Sequence, residues 1–337
     1  MKDAIILKSM KCADIDEAAI FVSSPFQALC ALEAINEFKV KRPVFYLQGH
    51  EISYEMTRKY LIKNGFTYID VAETSNAFEA IKIHHRHKKF QYLFVGDYFS
   101  CGHFLLSMLW SKINATIVYL DDGNSTLSLL PPTSRKRLNS GSSPHKIFYL
   151  LLELYKNLKG IRRVFFSFYN LTDRGFPYPI ITNNLSILKT DDIVYRKYGI
   201  YIIGTNSSQI GWSREMYVDK IRIIRDYVRK NTNEPIYYCP HRRDERQYQK
   251  EFQEIGIFLY ETEVSVEVDF VSNKLYPSMV FGFGSTAMLT LKMLYPEAIF
   301  YNFVFHSQNQ QIESGYRKIE DEFTLFGIKV TEIENLI

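Results

Sequence analysis

Apolar and polar positions fall in blocks along this chain. Short β-branched and aromatic runs, polar only at their ends, alternate with stretches of helical spacing. AAIFVSS (18–24) reads as a buried parallel strand. PFQALCALEAINEF after it reads as a helix, with Pro25 in the first turn and Ala28, Leu29, Leu32 and Ile35 as a stripe. VFYLQG (44–49) is the next strand, followed by a helix from Tyr54 to Asn64. YIDV (68–71), YLFVGD (92–97) and ATIVYLDDG (115–123) read as further strands. A second series starts near Asp191: GIYIIGTN (199–206), the helix REMYVDKIRIIRDYVRKN (214–231), PIYYCPH (235–241), IGIFLYE (255–261), MVFGFGS (279–285) and AIFYNF (298–303). Alternating βα units with apolar strands predict doubly wound parallel sheets.

Between the two series, PPTSRKRLNSG (131–141) has loop composition. HKIFYLLLELYKNLKGIRRVFF (145–166) reads as one helix, apolar and basic together. It suits a crossover helix packed between domains or a surface that touches anionic lipid. The pattern therefore predicts an α/β protein with two Rossmann-like domains facing a central cleft, residues 1–185 and 186–337. A length of 337 residues argues the same way, because one ordinary core does not grow so large.

Composition narrows the chemistry. Tyr and Phe are abundant, 24 and 25 residues, which leaves rings for stacking on sugars or bases after the core is filled. A net charge of +4 fits anionic small molecules or a weakly anionic membrane surface, not duplex nucleic acid. Cys12, Cys30, Cys101 and Cys239 show no CxxC spacing and read as reduced thiols. The first residues, MKDAIILKSMKCADIDE, carry charges throughout, so no apolar secretory core forms. The apolar stretch at Ile147–Leu152 is far short of the ~20 residues a membrane span needs. A cytoplasmic protein, in peripheral contact with the inner membrane through the basic segment Arg135–Arg163, is the expectation.

Three polar clusters stand where strands should end, which is where open α/β sheets bind ligands. Asp121 and Asp122 precede Gly123; neighbours on a strand face opposite ways, so one acid can cap the next segment while the other points into the cleft as a base, although a plain N-cap or turn acid has the same appearance. His241 follows Pro240, with Arg242, Arg243, Asp244 and Glu245 after it; a histidinium there could neutralise or protonate a phosphate leaving group. Ser285 and Thr286 follow a glycine-rich turn and open a helix, which favours an anion, though a plain N-cap has the same appearance. His84, His85 and His87 sit among Arg86, Lys88 and Lys89 and do not suit a metal. GFGS lacks the third glycine and the later acid of a dinucleotide fingerprint.

Taken in order, FVSSPFQALCALEAI, YLDDGNS, PHR and GSTA give the chain a likeness over most of its length. It resembles the bacterial sialyltransferases of the two-Rossmann GT-B type, most of all glycosyltransferase family 52, which acts on lipooligosaccharide or capsule. The resemblance implies Asp122 as general base and His241 as acid or charge stabiliser on the CMP phosphate. It implies Ser285 and Thr286 with Gly284 as the phosphate cradle, Glu267 on the ribose hydroxyls, and Gly204, Thr205 and Asn206 along the nucleotide site. Ser24, Pro25, Gln27 and Asp97 fall on the acceptor side. Where the family has proline after the motif histidine, Arg242 stands here, and an added phosphate contact is expected from it. The implied reaction is inverting, metal-independent and without cofactor, from CMP-sialic acid to an oligosaccharide acceptor. The implied partners are these substrates, with a homodimer and no nucleic acid. Transfer of another CMP-activated acid sugar (Kdo, legionaminic or pseudaminic acid) uses the same parts, and a non-catalytic nucleotide- or glycan-binding protein could share the fold.

Overall fold

The computed structural model describes residues 14–49, 51–71, 88–129, 154–155, 157–171, 176, 178–189, 197–205, 212–241, 248–304, 306 and 310–337. The chain divides into two compact units, Met1–Ile187 and Leu188–Ile337. Among the described residues each unit holds one sheet, and every strand pairing is parallel.

In the first unit the strands are β1 (Glu17–Val22), β2 (Arg42–Leu47), β3 (Tyr68–Asp70), β4 (Phe90–Val95), β5 (Ser111–Leu120), β6 (Arg162–Ser167) and β7 (Ile180–Thr182). Their spatial order is β3-β2-β1-β4-β5-β6-β7, so the winding reverses between β1 and β4. β1 forms because five of its six residues can be buried from both sides. The helix Pro25–Glu37 starts where Ser24 caps it, its hydroxyl accepting from the Gln27 amide at 3.2 Å, with Pro25 supplying a preset φ. Its buried Ala28, Leu29, Ala31 and Leu32 let it lie close to the sheet.

The second unit contains β8 (Lys197–Ile203), β9 (Ile236–Cys239), β10 (Phe258–Leu259), β11 (Leu275–Gly282), β12 (Ile299–Phe303) and β13 (Lys329–Thr331). Their order is β10-β9-β8-β11-β12-β13, reversing between β8 and β11. The helix Arg214–Asn231, capped by Ser213, buries Tyr217, Val218, Ile221, Ile224 and Val228 on one stripe and leaves its charges on the other. The abundant rings are mostly core: Tyr46, Trp110 and Tyr119 in the first unit, and Tyr201, Tyr217, Tyr238 and Tyr295 in the second, are fully buried.

Two sequence expectations need correction. The stretch 145–166 is not one helix. Gly160, at φ +63°, ends the turn before it, and Arg162–Ser167 runs as β6 in register with β5 from Thr116↔Arg162 to Leu120↔Phe166. Val164, Phe165 and Phe166 are buried in succession, as a strand covered on both faces requires, and such a run carries no period to separate strand from helix. IGIFLYE forms strand only at Phe258–Leu259, because Gly256 at φ +74° still belongs to the end of the helix Gln249–Glu254. Of the basic segment Arg135–Arg163, residues 135–153 and Lys156 lie outside the described residues, as do the histidines at 84, 85 and 87. Lys159 donates to the carbonyls of Met108 (3.1 Å) and Ser111 (2.8 Å), and Arg163 lies over the Tyr178 ring, so both are engaged with the sheet. No helix among the described residues is long and apolar enough to cross a membrane.

Asp121 locks β5 to β6. Its carboxylate is fully buried and accepts from the Ser167 hydroxyl at 2.7 Å and the Phe168 amide at 2.8 Å. Burial pushes its pKa from the ordinary carboxyl range up to about 7 despite these donors. A carboxyl whose folded pKa is raised adds most to stability when protonated in both states, and that contribution is lost as pH rises toward the folded value. Stability should therefore fall between about pH 4 and pH 7 from this group, by at most about 1.4 kcal/mol per pH unit. Asp121→Asn should flatten that slope in urea midpoints measured across the window, and an unchanged slope would remove Asp121 as its source.

Candidate functional site

The polar residues of the first unit gather at the C-terminal ends of β1, β4 and β5, three adjacent strands at the winding reversal. Asp121 and Asp122 divide as strand alternation requires. The first turns inward to β6, while Asp122 is half-buried at the strand end. Gln27, 2% exposed, donates its Nε2 to Asp122 Oδ1 at 2.7 Å. The Asp122 amide donates to Thr126 Oγ1 at 3.1 Å, which seats the turn at Gly123, where φ is +60°. Of the other residues expected on the acceptor side, Ser24 and Pro25 start the helix. Asp97 Oδ1 accepts from the amides of Phe99 (2.7 Å) and Ser100 (3.0 Å), fixing the turn into the helix Cys101–Trp110.

In the second unit the expected residues again occupy neighbouring strand ends. Gly204 and Thr205 follow β8, His241 follows β9, and Gly284, Ser285 and Thr286 follow β11. β9, β8 and β11 are consecutive in the sheet. The Gly204 amide donates to the Cys239 carbonyl at 2.8 Å, tying the β8 end to the strand that delivers half-buried His241. A Cβ at Gly204 would come 2.6 Å from the Tyr238 hydroxyl, so the position admits only glycine without rearrangement. That hydroxyl meets Tyr217 Oη at 3.0 Å, and Tyr217 Oη accepts from the Thr205 amide at 3.3 Å. Asn206 and Arg242 lie outside the described residues.

Ser285 caps the helix Thr286–Leu294, its Oγ accepting from the Ala287 amide at 3.4 Å, so its own proton can be donated to an anion at the positive end of the helix. Gly284, at φ +75°, makes the turn, and its amide donates to Asn302 Oδ1 at 2.7 Å. Glu267 is 3% exposed on the helix Val266–Ser272, and its Oε1 accepts from Thr290 Oγ1 at 2.6 Å. It therefore braces the helix that Ser285 opens.

Sequence reasoning missed Asn302, Tyr217 and Tyr238. Asn302, 1% exposed within an apolar strand, carried a readable signal, because a buried amide must have partners. The two tyrosines looked like any others in a tyrosine-rich chain. Among the described residues no group of three or more His, Cys, Asp or Glu side chains is arranged around a common metal position.

No protein-family model matches the chain, and no curated protein matches it either. Solved structures do. An α/β-galactoside α-2,3-sialyltransferase from the luminous marine bacterium Photobacterium phosphoreum is 11% identical with a TM-score of 0.55, over 96% of this chain and 100% of that one. The GT-B domain of a sialyltransferase from Photobacterium damselae is 12% identical with a TM-score of 0.50, over 94% and 99%. A UDP-N-acetylglucosamine 2-epimerase is 12% identical with a TM-score of 0.53, over 96% and 85%. At these identities the likeness is one of fold: two parallel α/β sheets of the GT-B type.

The Gly284 turn can be tested by stability. A Cβ there would lie 2.8 Å from Tyr316 Cε1 on a backbone that L-residues avoid. Gly284→Ala should cost about 1–3 kcal/mol. Gly315→Ala, within the helix Gln310–Leu325 and with nothing within 4 Å, should add about 0.5–1 kcal/mol. Urea midpoints of both variants against the parent check the pair of signs.

Proposed function

We propose that this protein is an inverting sialyltransferase that moves a sialic acid from CMP-sialic acid to a hydroxyl of a cell-surface glycan, a terminal galactoside. The observation that supports it most is Asp122. It is a half-buried carboxylate at the ligand-binding edge of one sheet, gripped by a buried amide, while its neighbour Asp121 is fully committed to structure. In this reading Asp122 takes the proton of the acceptor hydroxyl as that oxygen bonds to the anomeric carbon. The bond from that carbon to the CMP phosphate oxygen breaks with inversion, and CMP leaves with the electron pair. His241 protonates or neutralises the departing phosphate. Ser285, Thr286, the Gly284 turn and the helix N-terminus hold its charge, and Arg242 adds a contact. Gly204, Thr205 and Asn206 line the nucleotide.

The fold likeness to a UDP-N-acetylglucosamine 2-epimerase favours a second reading, in which a nucleotide sugar is turned over without a glycan acceptor. Incubation with CMP-sialic acid, other CMP-acid sugars and UDP-N-acetylglucosamine, with and without lactose, separates the two by mass spectrometry. A sialylated lactose supports transfer; acceptor-independent change of the UDP-sugar alone rejects it.

Asp122→Asn should lower turnover by roughly 10²–10⁴-fold, while Asp121→Asn, where folded, keeps most of it. Equal losses in two folded variants would reject Asp122 as base. Because the phosphate charge is assigned to His241, hydroxyls and a helix terminus, EDTA should leave the rate unchanged. Restoration of a chelated enzyme only by Mg²⁺ or Mn²⁺ would contradict that assignment.

A further inference from the structure

We propose that Gln27 is the positioning residue for Asp122: its side-chain amide binds Oδ1, fixes the orientation of the carboxylate, and keeps it ionised. This deepens the reading of Asp122 as base and rests on it.

The amide has only one workable orientation. Its Oε1 accepts from the Ser23 amide at 2.8 Å and the Ser23 hydroxyl at 2.9 Å. Flipped, the –NH₂ group would face a backbone N–H, donor against donor. Nε2 is therefore the end that meets Asp122 Oδ1 at 2.7 Å. Gln27 thus links the end of β1 to the end of β5, past β4 between them. β4 makes room with Gly96, where a Cβ would lie 2.6 Å from Gln27 Oε1 and 2.9 Å from Cδ. The amide is buried, so its bonds are not diluted by water.

The choice of a neutral donor matters. A hydrogen bond to the charged form lowers a carboxyl pKa modestly. Lysine or arginine in this place would lower it further and leave a weak base. Glutamate would force two carboxyls to share a proton and raise it. An amide holds Asp122 ionised while leaving it able to accept a proton. Among the described residues Asp121, pushed up to about 7 by burial, is a titratable neighbour sensitive to the Asp122 charge, and buried Tyr169, raised well above its ordinary value, is coupled in turn to Asp121. Both are present in every variant below, so differences between variants report Gln27.

The test reads the Asp122 carboxyl directly. Its titration is followed by carbon NMR in aspartate-labelled protein and assigned by its absence in Asp122→Asn. Relative to the parent, Gln27→Met should raise the Asp122 pKa by about one unit and Gln27→Glu by more. Gly96→Ala, which displaces the amide without removing it, should give a rise in the same direction. With CMP-sialic acid and lactose, the acidic limb of kcat/KM should move upward with the NMR value, and activity should recover at higher pH. A side chain that merely held the fold would lower the rate equally at all pH values. Should Asp122 titrate alike in the parent and in whichever of the three variants fold, the proposal is overturned, even if Asp122→Asn is inactive. Should the NMR shifts appear while Asp122→Asn keeps full turnover, Asp122 is not the base and the positioning proposal falls with that reading.

Discussion

A parallel sheet covered on both faces gives its strands almost no place for a polar side chain except their ends. Toward their C-terminal ends β1, β4, β5 and β6 are buried in succession, as are Ile200–Ile203 in β8 and Val280–Gly282 in β11. Charge, amide and hydroxyl therefore collect where each strand runs out, at the edge where helix N-termini begin. Both sheets reverse their winding, between β1 and β4 and between β8 and β11, and the candidate residues lie at those reversals.

The same constraint explains why so few of these residues act alone. Within the first unit a strand-end acid either stabilises the sheet, as Asp121 does with Ser167 and Phe168, or is itself held, as Asp122 is by Gln27 and Thr126. Within the second, the Gly284 turn hangs on Asn302, the Gly204 turn on the Tyr217–Tyr238 pair, and the Ser285 helix on Glu267 through Thr290. Each loop is thus supported by a buried polar group one layer below it. Such support costs burial of polar atoms and gives a fixed geometry in return.

Much of this was readable from the chain. Strands such as AAIFV and the stripe of Arg214–Asn231 announce themselves through apolar runs and a helical period. That Asp121 and Asp122 face opposite ways followed from strand alternation, while the resemblance alone named Asp122 as the base. What was not readable depends on contacts distant in sequence. Gln27 and Asp122 are 95 residues apart, and nothing near either names the other. β6 escaped because a run buried on both faces has no period to separate strand from helix. The Arg and Lys residues leading into β6 resembled a helical basic face; Lys159 and, within β6, Arg163 engage the sheet instead.

The proposed function requires the strand ends of the second unit to hold a cytidine nucleotide by its phosphate. The most direct measurement is a crystal structure of the protein with CMP. Phosphate oxygens are expected on the Ser285 and Thr286 hydroxyls and the amides opening their helix, with the His241 ring within hydrogen-bond reach. A phosphate bound anywhere else, or a site that admits UMP and refuses CMP, would contradict it.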